Sequence, residues 1–263
     1  MSRGFSVLLC LDVGNTHILG GVSRGGKIVA RFRYATPLVG TSDQLGIFLL
    51  SILQANQIDP KVISAVAVSS VVPGCDYTLN HTIEHYFNAD YFVLRADQQK
   101  TLNIQYSNVN EVGADRIANA IGAVHGYPHQ NIIIADMGTA TTLCAINKQH
   151  DYLGGAILPG LKLGMESLKT STAKLMEVNI ESPPSLIGRT TRESIQSGLF
   201  YGQLGSLLQL VSGFKQEAFA DEQVMVIGTG GFSQLYKDKS LFDVILPDLV
   251  LQGLHHAYET AVR

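Results

Sequence analysis

The chain has 263 residues, 46% apolar and 16% charged, which supplies a substantial core and excludes a globally disordered chain. Lysine and arginine total 19 against 22 acidic residues, a net charge of −3, so the basic excess of a dedicated nucleic-acid binder is missing. No apolar run reaches the roughly 18 residues of a membrane helix, and three scattered cysteines (Cys10, Cys75, Cys144) suit a reducing compartment better than a disulfide framework.

Arg3 followed by an apolar run from Phe5 to Leu11 has the outline of a signal peptide, but Asp12 ends it early and no small-x-small cleavage site follows. A buried strand and a cytoplasmic protein are expected instead. Residues 17–23 and 27–34 read as a hairpin around Arg24-Gly25-Gly26, with Ile28, Ala30, Phe32 and Tyr34 on one face of its second strand. Residues 42–54 carry Leu45, Phe48, Leu49 and Ile52 at helical spacing behind an N-cap candidate, Ser42. A buried strand at 62–69, a helix at 77–87 and a strand at 91–94 follow. After a polar stretch the pattern restarts, with a helix at 114–124, strands at 131–135, 141–147 and 152–157, and helices at 160–174 and 192–214. A strand at 224–227, a helix beginning at 232–236 and a last helix at 249–262 complete an α/β chain.

The most informative feature is an internal echo. Leu8-Leu9-Cys10-Leu11 runs into Asp12-Val13-Gly14-Asn15-Thr16, and Ile132-Ile133-Ile134-Ala135 runs into Asp136-Met137-Gly138-Thr139-Ala140-Thr141. Two similar half-domains, 1–110 and 111–263, are therefore expected. An Asp at the end of a buried strand can hold a hydrated cation, and the Gly two residues on lets backbone approach a phosphate. Either copy alone is equally a good turn, but two copies behind apolar strands favour a phosphate grip. Gly228-Thr229-Gly230-Gly231 follows a third apolar strand, where it suits either a nucleobase resting on backbone or a plain tight turn. Gly113-Ala114-Asp115-Arg116 stands at a helix start, where the carboxylate could take a proton from a hydroxyl. Those residues equally suit an Asp complementing the helix dipole beside a surface Arg.

Other matches carry less. Gly21 to Lys27 fits the spacing of a P-loop, but Ile28 stands where a magnesium-binding Ser or Thr is needed and the segment reads as a hairpin. His81-Thr82-Ile83-Glu84-His85 has the form of an inverted zinc-protease motif, without a persuasive third ligand downstream. His255-His256 reads as a surface pair, and Cys10 and Cys144 as core packing.

Taken together, Asp12 to Thr16, Gly113 to Arg116, Asp136 to Thr141, Gly154-Gly155-Ala156-Ile157-Leu158-Pro159-Gly160 and Gly188-Arg189-Thr190-Thr191 occur in the order found in a known family. Over nearly its whole length the chain resembles the type III pantothenate kinases, of the acetate kinase, sugar kinase, Hsp70 and actin superfamily. Val109 and Met176 stand where many relatives have Pro. The resemblance implies two ribonuclease-H-like (actin-like ATPase) half-domains with a nucleotide cleft between them. It implies phosphorylation of the pantothenate 4′-hydroxyl by ATP, the first step toward coenzyme A. By motif, Asp12, Val13, Gly14, Asn15, Thr16, His17, Ile18 and Leu19 resemble the first ATP-phosphate loop, and Thr139 a further ATP contact. Asp115 matches the proton acceptor, and Gly113, Ala114, Asp115 and Arg116 the substrate loop. Tyr106 and Thr191 match pantothenate contacts. Asp12 would orient Mg2+ through water, and Asp136 matches the ligand of a monovalent cation, K+ or NH4+. A homodimer is implied, with no nucleic-acid or membrane partner. A non-catalytic regulator and a same-fold kinase for another small alcohol are the alternatives.

Overall fold

The computed structural model describes residues 6–220 and 222–262, so Arg3 and Phe5 of the leader-like stretch lie outside the described residues. The chain forms two compact units, one from residues up to Gly126 together with those from Asp248 onward, the other Tyr127–Pro247.

In the first unit, β1 (Val7–Val13), β2 (His17–Arg24) and β3 (Lys27–Ala35) form an antiparallel meander. The chain continues through α1 (Ser42–Ala55), β4 (Ala65–Ser70), α2 (Pro73–Tyr86), β5 (Asp90–Val93), the two-residue β6 (Asn103–Ile104) and α3 (Ala114–Gly126). The sheet order is β3-β2-β1-β4-β5, with β4 parallel to both β1 and β5. Leu9, Leu11, Val66 and Val68 are fully buried against Leu45, Leu49 and Leu53 of α1 and Leu79 and Ile83 of α2. The cap of α1 is Thr41 and not Ser42. Thr41 Oγ1 accepts from the Gln44 N–H at 3.3 Å, and Gln44 Oε1 accepts from the Thr41 N–H at 3.0 Å, so two orphan donors are satisfied at once.

The second unit repeats this plan. It comprises β7 (Asn131–Met137), β8 (Ala140–Ile146), β9 (Asp151–Pro159), α4 (Leu161–Ser171), α5 (Thr191–Phe219), β10 (Val224–Thr229) and β11 (Val244–Ile245). Its strands lie in the order β9-β8-β7-β10-β11, antiparallel on one side of β7 and parallel on the other. The expected helix at 232–236 is a single 3-10 turn, Ser233–Tyr236.

The last helix, α6 (Leu249–Ala261), belongs to the first unit with α3, so the units do not divide at residue 110 as the two Asp-x-Gly repeats suggest. Glycine permits the pairing. A Cβ on Gly253 would collide with the Ala118 carbonyl of α3, and one on Gly122 would lie 2.7 Å from the Leu249 carbonyl of α6. Two backbones this close exclude any side chain at the crossing. No helix among the described residues is long and apolar enough to cross a membrane.

Candidate active site

The parallel pairing of β1 with β4 brings their C-terminal ends out side by side. Asp12 stands opposite Ser69 in that register, and Ser69 Oγ donates to Asp12 Oδ1 at 2.8 Å. Leu8 to Leu11 behind it are fully buried, so this carboxylate is half-buried at the point where the strand leaves the core. The turn after β1 is closed by the Gly14 N–H donating to the His17 carbonyl at 3.1 Å. Thr36 braces it from the end of β3. Its Oγ1 donates to the Gly14 carbonyl at 2.6 Å, and its N–H to the Thr16 carbonyl at 3.0 Å. Asn15 and His17 are exposed and Asp12, Gly14, Thr16 and Leu19 half-buried, whereas the Val13 and Ile18 side chains are in the core. Those last two positions can offer a ligand only backbone.

The second loop is built the same way. Asp136 ends β7 opposite Thr229 of the parallel β10, and the Gly138 N–H donates to the Ala140 carbonyl at 3.0 Å. Val71 N–H donates to the Val13 carbonyl at 3.1 Å in the first unit, and Phe232 N–H donates to the Met137 carbonyl at 3.1 Å in the second. Two further glycines crowd this loop. A Cβ on Gly160, the N-cap of α4, would strike the Thr139 carbonyl. One on Gly230, at φ +83°, would strike the Asp136 carboxylate. The Gly228–Gly231 cluster therefore serves internal packing first: Gly230 admits Asp136, and Gly228 faces the Phe242 ring, 2.6 Å from where its Cβ would be.

Asp115 occupies the first turn of α3. Its Oδ1 accepts from the Arg116 N–H at 2.8 Å. Burial pushes the carboxyl above its ordinary range, against the lowering effects of the Arg116 N–H and guanidinium. Arg116 is buried, not the surface residue that a simple helix-start pair would give. A Cβ on Gly113 would strike the Asp115 carboxylate and lie 3.5 Å from Val71 Cγ1. Since Val71 hydrogen-bonds Val13, the Gly-Ala-Asp-Arg element is tied through one residue to the first Asp-x-Gly loop. Beside it opens a polar pocket of about 410 Å3, lined by Ser70, Val71, Arg95, Asp97, Asn110 and Gly113 among others. A perturbed carboxylate beside a concave polar pocket has the marks of an acid–base site.

Tyr106 is half-buried in the same unit, on the segment between β6 and α3. Thr191 is exposed at the first position of α5, behind the N-cap Thr190, and with Asp136 and Thr139 it belongs to the second unit. The donors fit hard cations. Asp12 with Ser69 offers oxygen only, and Asp136 stands opposite Thr142 of β8, again an oxygen-only pair. Ser69 and Thr36 were not singled out from sequence. Only the parallel register, and the repetition of a short polar residue at the end of the neighbouring strand (Ser69, Thr229), would have pointed to Ser69. His81, Glu84 and His85 lie on the exposed side of α2, with His81 Nδ1 3.9 Å from Glu84 Oε2.

Strand order and twin loops place the chain in the actin-like and sugar-kinase ATPase fold. It superposes on the crystal structure of MreB 5 of Spiroplasma citri bound to AMPPNP with a TM-score of 0.52, at 11% identity over 95% of each chain. Residues 8–213 match the family described as type III pantothenate kinase. A protein of Legionella pneumophila (strain Paris) called type III pantothenate kinase is 51% identical over 95% of this chain and 98% of its own length. The type III pantothenate kinase 1 of Francisella tularensis subsp. holarctica (strain OSU18) is 44% identical over 94% and 97%. The chain belongs to the type III pantothenate kinase family.

Proposed function

We propose that the protein transfers the γ-phosphoryl group of ATP to the 4′-hydroxyl of pantothenate, the entry reaction of coenzyme A synthesis. Family membership supports the reaction. The single structural observation behind it is the desolvated Asp115 carboxylate, next in sequence to Gly113 and Ala114 of a polar pocket and tied through Val71 to the Asp12 loop. In this reading Asp115 accepts the hydroxyl proton as the new O–P bond forms. A carboxylate suits a loose transition state, in which the proton leaves late. Gly113, Ala114, Arg116, Tyr106 and Thr191 hold pantothenate, and the loops at Asp12 and Asp136 carry the phosphates.

Gly14 and Gly138 spend their N–H groups on their own turns. In this reading Asn15, Thr16 and Thr139 are among the donors to phosphate. Asp12, held by Ser69, would orient Mg2+ and its waters; Asp136 would hold K+ or NH4+. Bound there, the cations supply positive charge against the triphosphate. A homodimer is part of the same proposal.

The test is ADP release coupled to a reporter reaction, with pantothenate as acceptor and with or without potassium. Pantothenate-dependent turnover stimulated by the ion supports the reading. Equal turnover with glycerol or sugars would reassign the acceptor, and none with any alcohol would reduce the chain to a regulator. Ser69→Ala removes one hydrogen bond to the Asp12 carboxylate, worth about 1.5 kcal/mol. A roughly tenfold loss of kcat/KM for ATP is expected from that amount, recovered in part by Ser69→Thr; steady-state kinetics of both variants check it.

A further inference from the structure

The adjacent histidines expected on the surface are not there. His255 is 1% exposed, in the wall of α6 that packs on β1 and β2, and His256 is partly buried. His255 Nδ1 lies 3.1 Å from the hydroxyl of the fully buried Ser23 on β2. Its Nε2 lies 3.4 Å from Glu259 Oε1, one helical turn on. The His256 ring is stacked on His125 of α3, centroids 3.4 Å apart. The β2–β3 turn covers the group: a Cβ on Gly26 would lie 3.6 Å from His256 Cε1 and 3.7 Å from His255 Cδ2.

We infer that His255, His256 and Glu259 form a binding site for a borderline divalent transition metal, with Zn2+ the best fit, separate from the phosphoryl-transfer machinery. One ligand atom from each lies within 4.8 Å of the others, the only such His, Cys and carboxylate group among the described residues. Tetrahedral zinc with bonds of about 2.0–2.1 Å sets its ligand atoms roughly 3.4 Å apart. The His255–Glu259 separation of 3.4 Å already has that value. Side-chain torsions at the half-exposed His256 and Glu259 can close the rest.

The second observation is the Ser23 hydroxyl. Metal-binding histidines are held by a hydrogen bond at the ring nitrogen that does not bind the metal. Ser23 Oγ holds the ring at Nδ1, and the other nitrogen, Nε2, faces Glu259. The same three residues have the outline of a Ser-His-Glu relay, but Ser23 is fully buried and no substrate could reach it. Glu259 and His256 are half-buried and so nearer solvent than His255. Bound metal would add a cross-link between residues of one turn of α6, next to its contacts with α3 and the β2–β3 turn.

The experiment loads the full chain, stripped with chelator, with ZnCl2 and measures bound metal after equilibrium dialysis. Co2+ serves as a spectroscopic probe. One Zn2+ per chain, a visible Co2+ band of tetrahedral strength and a thermal midpoint raised by about 5 °C at a hundredfold excess over Kd are expected. His256→Ala and Glu259→Gln, at half-exposed positions that leave the metal-free circular dichroism unchanged, should each weaken binding at least tenfold. Ser23→Ala should weaken it by roughly ten- to a hundredfold, as a positioning residue. His81→Ala and His85→Ala should change nothing. Unaltered affinity in the His256→Ala, Glu259→Gln double variant, loss of binding on changing His81 or His85, or no binding at micromolar Zn2+ would each overturn the inference. Pantothenate turnover is a separate readout, since none of these residues belongs to the proposed active site.

Discussion

Asp115→Asn is expected to lower kcat by about a thousandfold or more while leaving the fold intact and no less heat-stable than the parent. General-base removal costs roughly 10²–10⁴ in rate. Asparagine keeps the oxygen that accepts the Arg116 N–H but cannot take a proton. The stability half follows from linkage. Burial raises the folded carboxyl above its unfolded value, so the folded state binds its proton more tightly than the unfolded chain. What this group adds to stability is fully present below the unfolded pKa and is lost as pH rises through the folded one. At neutral pH the ionised Asp115 is therefore a net cost, and the amide removes it. The acidic limb of kcat/KM should accordingly fall above the ordinary aspartate range. Kinetics, a pH–rate profile and a thermal melt of one variant decide all three points. Wild-type turnover would remove Asp115 from the chemistry, and a markedly lower melting midpoint would show that the carboxylate is structural.

The largest effect on stability is expected from Gly253→Val. Its side chain would have to enter the Ala118 backbone of α3, which cannot move aside as a side-chain tip can. Overpacking of this kind costs about 3 kcal/mol, with a thermal midpoint lower by roughly 8 °C. Gly213→Ala in α5 is the control. An added Cβ there meets nothing within 4 Å, and alanine improves helix propensity by up to about 1 kcal/mol. Melting curves of the two variants should shift in opposite directions. A Gly253→Val midpoint equal to the parent's would mean that the α3–α6 crossing is not the close contact described.

The repeated strand-Asp-x-Gly pattern was readable because it is local. Four consecutive apolar residues and one Asp specify a buried strand and the point where it leaves the core, and β1 and β7, each flanked on both sides within its sheet, carry it. The hairpin at Arg24-Gly25-Gly26, the order of helices and strands, and the start of α3 at Gly-Ala-Asp-Arg are local in the same sense. The family motifs added the residue roles, which no local pattern carries.

Periodicity along the chain thus determined the longer strands and helices and where the two carboxylates stand, but not the two-residue β6 and β11 or the 3-10 turn at Ser233–Tyr236. Tertiary structure decided what lies against them. Ser69 reaches Asp12 only because β4 pairs in parallel with β1, 57 residues away in sequence, in one particular register. Gly122 and Gly253 are unremarkable in their own helices until the two backbones cross, and that crossing returns α6 to the first unit. His255-His256 has the composition of a surface pair. It is buried because that face of α6 meets Ser23 and His125, from segments more than a hundred residues earlier. A side chain's environment is a sum over distant neighbours, whereas the periodicity of a strand or helix is a property of its own few residues.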